Sequence, residues 1–189
     1  MITHPILQGW KPKTRFALAL FLALSASELL AQTVPPSATG SVNPALQEPV
    51  LKVGGSVPDP IQLKLSDLSS LPRAEVRTKD RDGRDVTYSG VSLAEILRAA
   101  GLKLDPASMP SRDIVGSYIL VEAADGYRAV FAVAEIDPAQ TDRLILLADH
   151  KDGQLLSANE GPFRIVFAGE KRPARWVRQV QTILVGRPQ

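Results

Sequence analysis

Three Asp-Gly dipeptides, Asp82-Gly83, Asp125-Gly126 and Asp152-Gly153, each stand between apolar or alternating runs. Glycine takes a positive φ without steric cost, and a tight reversal between two strands needs that conformation, so Asp-Gly in this setting reads as a hairpin turn. The first turn joins Ala74–Thr78 to Asp85–Ser89, and the second joins Tyr118–Ala123 to Tyr127–Val133. The third follows the apolar run Leu144–Ala148 and precedes Leu155-Leu156. Leu51–Val53 and Ile61–Leu65, around Gly54-Gly55 and Pro58-Asp59-Pro60, predict two further short strands, and Phe163–Ala168 and Val180–Val185 two more.

Helical signals are fewer. Ser66-Asp67-Leu68 starts a single turn that Pro72 ends. The main helix is predicted over 92–100: Ser92 and Glu95 form an S-x-x-E capping box, Leu93, Ile96 and Leu97 share one face, and Gly101 stands where a C-terminal glycine belongs. Many strands and one main helix predict an α+β fold, mostly antiparallel.

Residues 50–185 are expected to form the folded unit. Before it, residues 1–15 carry His4, Lys11, Lys13 and Arg15 without an acid, and Phe16–Ala26 is apolar apart from one serine. That pattern predicts a secretory signal over 1–31, cut after Ala31, with an apolar stretch short of the roughly 20 residues a membrane span needs. A retained membrane anchor is the alternative. Residues 32–49, rich in Pro, Ser, Thr and Ala, read as a flexible linker. Removing 1–31 takes away Lys11, Lys13, Arg15 and Glu28 and leaves 19 bases against 19 acids. The mature protein is then formally neutral, so no nucleic-acid partner and no stable membrane span are expected, and the localisation is periplasmic or secreted.

The chain has no cysteine, which excludes disulfides, thiol nucleophiles and every thiolate–metal bond. It has no Gly-x-Ser-x-Gly, no Walker loop and no H-E-x-x-H. His150 beside Asp149 reads as a loop residue rather than a ligand or base. The one dense cluster is Lys171-Arg172-Pro173-Ala174-Arg175-Trp176-Val177-Arg178. It is either a solvated basic edge with Trp176 covering the core, or an anion site in which guanidinium forks meet a flat ring.

The order of L-K-V-G-G-x-V-x-x-P (51–60), Y-S-G-V-S-L-A-E-I-L (88–97), D-G-Y (125–127), L-I-L-L-A-x-x-x-D-G-Q-x-L (144–155), G-P-F-R-I-V (161–166) and R-W-V-R-Q-V-x-x-I (175–183) resembles the oxidoreductase molybdopterin-binding domain of the sulfite oxidase superfamily. The resemblance spans about residues 50–185. It implies a mixed α+β fold with a pterin and phosphate in a loop-built groove, and molybdopterin as the cofactor. Carried over by position, Asp125, Gly126, Tyr127 and Arg128 resemble the pocket's D-G-Y segment. Arg164 resembles the arginine of a G-x-P-x-R run, and Arg175-Trp176 the lysine–tryptophan pair near the pterin.

Three departures set this chain apart. The family's metal-binding cysteine would fall within Val76–Asp80, where Thr78 and Lys79 cannot replace a soft thiolate. The long N-terminal segment that adds pterin contacts has only about 18 turn-rich residues in its place. Lys11-Pro12-Lys13-Thr14-Arg15 has no Arg-Arg pair for export of a folded, cofactor-loaded protein. The expectation is therefore a module that binds a small anionic ligand or a redox partner protein, with no thiolate-bound metal. The alternative is a small oxidoreductase that holds a molybdenum cofactor without a protein thiolate, and the residues leave open whether the chain is an enzyme.

Overall fold

In the computed structural model the described residues are 48–80, 82–105, 111–170 and 172–188. The signal expected over 1–31 and nearly all of the linker expected over 32–49 lie outside them, as does Lys171.

Among the described residues, ten strands form two sheets. The first has the order β2-β1-β10-β5-β6 and is built from β1 (Val50–Gly55), β2 (Ile61–Lys64), β5 (Tyr118–Ala123), β6 (Arg128–Ala132) and β10 (Val180–Gly186). The second has the order β3-β4-β7-β8, with β9 also on β7. It comprises β3 (Arg73–Lys79), β4 (Asp85–Ser92), β7 (Ile145–Lys151), β8 (Gln154–Leu155) and β9 (Arg164–Phe167). Among the described residues only β1 and β10 pair in parallel. All the predicted strands are present, so the α+β, largely antiparallel reading holds.

The three Asp-Gly turns divide into two kinds. At Asp82-Gly83 and Asp125-Gly126 only the glycine has a positive φ, 79° and 83°. Gly83 N and Gly126 N donate three residues back to Asp80 O and Ala123 O, and this is a turn closed by a glycine bulge. At Asp152-Gly153 both residues are left-handed, with φ of 50° and 79°, so the loop is the two-residue type.

α1 (Leu93–Ala99) starts where the capping box places it, with Glu95 N donating to Ser92 Oγ at 3.1 Å. Gly101, at φ 80°, follows its end. A second, six-residue helix, α2 (Ser111–Gly116), lies in a stretch to which no element was assigned from sequence. It is too short for an apolar period to register.

The main core lies between the sheets. Leu51, Val53, Ile119, Val121, Phe131, Ile183 and Val185 come from the first sheet, and Val91, Ile145, Leu147, Ile165 and Phe167 from the second. Leu93, Ile96 and Leu97 of α1 join the same cluster. Each such side chain contributes about 2 kcal/mol on burial. The second sheet is covered on its other face too, where Val76, Val86, Tyr88, Leu146, Ala148 and Val166 form a smaller cluster. This accounts for the unbroken apolar runs in β7 and β9, whose core strands are buried on both sides.

A bulge interrupts β7. Ser89 pairs with His150 but Gly90 pairs with Ala148, which leaves Asp149 as an extra residue. The bulge changes the strand's alternation: Leu146 and Ala148 face the smaller cluster, and after Asp149 it is Lys151, opposite Tyr88, that returns to that face. Asp149 is buried, and Arg73 holds it with a two-pronged pair of bonds at 2.7 and 2.6 Å. His150 is therefore a strand residue rather than a loop residue, with Nδ1 2.8 Å from Asp149 Oδ1.

Candidate ligand-binding groove

The face of the second sheet turned away from the main core carries a groove of about 770 Å³. Strand alternation puts Thr78, Tyr88, Lys151 and Arg164 on that face with Val76, Val86 and Val166. The β3–β4 turn contributes Asp80, Asp82 and Arg84, and the segment after β9 contributes Glu170, Trp176 and Arg178. The wall thus combines a strand surface with the second half of the basic cluster noted in the sequence.

Its floor is aromatic. Tyr88 and Trp176 meet edge to face, with centroids 6.2 Å apart and planes at 85°. The Arg164 guanidinium lies 5.1 Å from the Tyr88 ring centroid and 5.7 Å from that of Trp176, and Lys151 Nζ lies 5.6 Å from Tyr88. A cation over an aromatic face is favoured by the ring quadrupole, so these rings fix both cations.

Five bases and four acids line the groove. Arg84 is paired with Asp80 and Asp82. Asp80 is held below the usual carboxylate range: desolvation opposes this, but the backbone N–H groups of Arg84 and Asp82 and the Arg84 charge outweigh it. Arg164, only 6% exposed, donates to Glu160 and, at 3.0 Å, to the Tyr88 hydroxyl. Lys151 lies 4.0 Å from Glu160. Glu160 sits on a turn in which its own N–H and that of Gly161 donate to Ser157 O, and Gln179 ties this turn down through its backbone and its side chain. Gln179 adopts a left-handed φ of 49°.

Three buried polar side-chain atoms among the described residues make no hydrogen bond: Arg164 Nε, Trp176 Nε1 and Glu170 Oε2. All three belong to residues that line the groove. Each unmet group costs about 1–3 kcal/mol.

Of the residues singled out from sequence, Arg164 and Trp176 meet in the groove, 76 residues along the chain from Tyr88 in the case of Arg164. Arg175 does not line it. That guanidinium lies 4.9 Å from the centroids of both Phe131 and Phe167 and bonds to Glu170 and Glu135. Burial disfavours its charge, but those two carboxylates outweigh the effect and hold its pKa above the usual value. Asp125, Gly126 and Tyr127 in the β5–β6 turn and Arg128 at the start of β6 are outside the groove lining. Arg128 pairs with Glu122. Tyr127 reaches the cluster only through its hydroxyl, which donates to Ala174 O at 2.6 Å. Trp176 packs against both core clusters and also lines the groove.

Sequence reasoning passed over Lys151, Glu160 and Glu170. The i, i+4 spacing of Glu160 and Arg164 across Gly161-Pro162 was the only local signal, and the strand bulge that turns Lys151 inward leaves none. Thr78 and Lys79, where the family resemblance puts a cysteine, do line the groove.

The described residues form a two-sheet α+β fold with a groove on the outer face of the second sheet. No protein-family model matches the chain and no curated protein matches it. Among solved structures it is similar to the sulfane dehydrogenase SoxCD from Paracoccus pantotrophus, with a TM-score of 0.56 and 20% sequence identity. The match covers 72% of this chain and 38% of that one, so this chain spans well under half the length of its structural neighbour. At that identity the likeness is one of fold.

Proposed function

We propose that the chain is an exported, non-catalytic binding module that holds a small anionic organic ligand in the groove over Tyr88 and Trp176. Its scaffold is similar to the molybdopterin-binding domain of the sulfite oxidase superfamily. The observation that carries the reading is a groove of about 770 Å³ whose lining brings Lys151, Arg164 and Arg178 together with the rings of Tyr88 and Trp176. The lack of any cysteine supports a module over an enzyme, because the donors at the family's ligand position, Thr78 and Lys79, do not fit a thiolate-bound molybdenum. No step is therefore assigned to that metal. Arg164, Lys151 and Arg178 supply cationic donors for an anionic group, and the two rings supply a flat apolar surface.

Ethyl phosphate serves as a minimal anionic probe. Titrated into the isotopically labelled protein at millimolar concentration, it is expected to shift the Trp176 indole N–H and the Lys151 and Arg164 amides. Arg164→Met should weaken binding at least about tenfold, because a charge-assisted bond contributes about 1.5–3 kcal/mol. Arg178→Ala, at an exposed position, should weaken it in a protein of unchanged stability. Absence of any groove shift would refute the reading. Stoichiometric molybdenum in protein isolated from its native host would replace it with the oxidoreductase alternative, and recovery of the native protein from the cytoplasm alone would remove export.

A further inference from the structure

An antiparallel sheet with its core on one side usually turns polar side chains to the other. The first sheet departs from that pattern. Leu51, Ile119, Phe131 and Ile183 point into the main core, so alternation turns the residues on either side of them outward. Strand register sets these outward residues in three rows across the sheet. Gly186, Tyr118 and Ala132 form one row, and Gly54, Leu184, Leu120 and Val130 the next. Charge is confined to the third, Gln62, Lys52, Thr182, Glu122 and Arg128. Val130 is 52% exposed and Tyr118 39%, and Leu120 and Leu184 are half-buried. Tyr118 lies over Gly186, where an added Cβ would come within 2.2 Å of its Cζ, so the ring rests on the sheet's middle strand. An aromatic fixed in this way on an apolar face is a common anchor of protein contacts.

We infer that a second copy of this chain covers this face, in a two-fold dimer whose axis runs along β10. Two axes in the plane of the sheet bring identical faces together. One running across the strands sets the charged row of each copy against the Tyr118 row of the other. One running along β10, the middle strand of β2-β1-β10-β5-β6, lays each row on itself with the strand order reversed. Apolar rows then meet apolar rows, Leu184 meets Leu184, and β1 of each copy lies over β5 of the other. In the charged row this places Lys52, which has no ion pair among the described residues, over Glu122 of the second copy. Symmetry repeats the contact on the other side of the axis. Arg128 holds Glu122 Oε1 of its own chain at 2.7 Å and so fixes the carboxylate that Lys52 meets. The face spans about 20 Å across five strands and about 15 Å along them, which is small beside the roughly 800 Å² per partner of a standard interface, so the dimer is weak and reversible. The groove, on the outer face of the other sheet, stays open in it.

Sedimentation velocity of the full chain tests this over protein concentrations from about 10 μM to about 1 mM. The wild type should pass from monomer to dimer across that range. Leu184→Lys, which puts a charge on the axis in both copies, should leave a monomer throughout. Lys52→Glu should weaken the dimer at least about tenfold, because two attractive contacts become repulsive, and Glu122→Lys should do the same. Combining both substitutions in one chain, or mixing the two single variants, should recover association, since each restores opposite charges across the axis. Thermal melts of every variant separate loss of fold from loss of association. A wild type that stays monomeric at all concentrations would overturn the proposal. So would a dimer that survives Leu184→Lys, or a Lys52→Glu defect that Glu122→Lys does not repair, because the contact would then lie elsewhere on the chain.

Discussion

Gly90 stands at the β-bulge that turns Lys151 into the groove. A Cβ added there would lie 2.1 Å from Leu147 O and 2.7 and 2.8 Å from Ala148 Cα and Leu147 C. All three are backbone atoms of the neighbouring strand, so no rotamer change can relieve the clash. Ordinary contact needs more than 3 Å, and Gly90→Ala must therefore push β4 and β7 apart by about 1 Å at the bulge where Ser89 and Gly90 pair across Asp149. Overpacking costs about 1–3 kcal/mol, and losing two ladder hydrogen bonds adds about 1 kcal/mol each. The sum, about 3–5 kcal/mol, is a large share of a typical 5–15 kcal/mol stability. Gly54→Ala is the control: it too lies in a strand without a positive φ, but its nearest foreign atom would be Leu184 Cδ2 at an ordinary 3.7 Å. Urea denaturation should show a markedly lower midpoint for Gly90→Ala and less than about 1 kcal/mol of change for Gly54→Ala. If the two variants lost the same stability, the cost would lie in glycine's general properties, and the argument from close approach at the bulge would be wrong.

Two further predictions concern the same framework. Asp149 is buried; desolvation raises its pKa, but the Arg73 bonds and His150 outweigh this and hold it below the usual carboxylate range. Because the folded value is depressed, its contribution to stability is complete above the unfolded carboxylate value of about 4 and is lost as pH falls through the lower folded value. Asp149→Asn should cost about 2 kcal/mol at neutral pH, given that Arg73 can turn partly to water, and should flatten the acid limb of a stability–pH profile; an unchanged acid limb would contradict the assignment. Ser92→Ala removes the acceptor for Glu95 N and should cost about 1 kcal/mol by thermal melting, with no effect on ethyl phosphate binding; a neutral substitution would mean that the cap contributes nothing.

The strands and α1 were legible because their determinants are local. Asp-Gly forces a reversal whatever surrounds it, and alternation in β1, β5 and β6 follows from a sheet with one buried face. The Ser92 cap bonds to a group three residues away. Arg164 and Trp176 stood out as candidates by charge and by family resemblance. Arg175 shows the limit of that reasoning: it adjoins Trp176 in sequence, but its short helical turn, Pro173–Arg175, directs it to Glu135 and Glu170 and between two phenylalanines. The D-G-Y segment shows the same limit, since a hairpin turn on the first sheet leaves Asp125 and Arg128 outside the groove.

The sequence by itself determined the hairpins, the capped helix, the apolar faces and the absence of a thiolate, because each depends on residue type and on neighbours within a few positions. The groove was decided only in three dimensions. One extra residue on β7 turns Lys151 to the outer face, a turn fastened by Gln179 sets Glu160 against Arg164, and packing buries Arg164 Nε, Trp176 Nε1 and Glu170 Oε2 without partners. Each of these depends on which distant backbone lies alongside, and strand register, unlike turn chemistry, is set by the whole core at once.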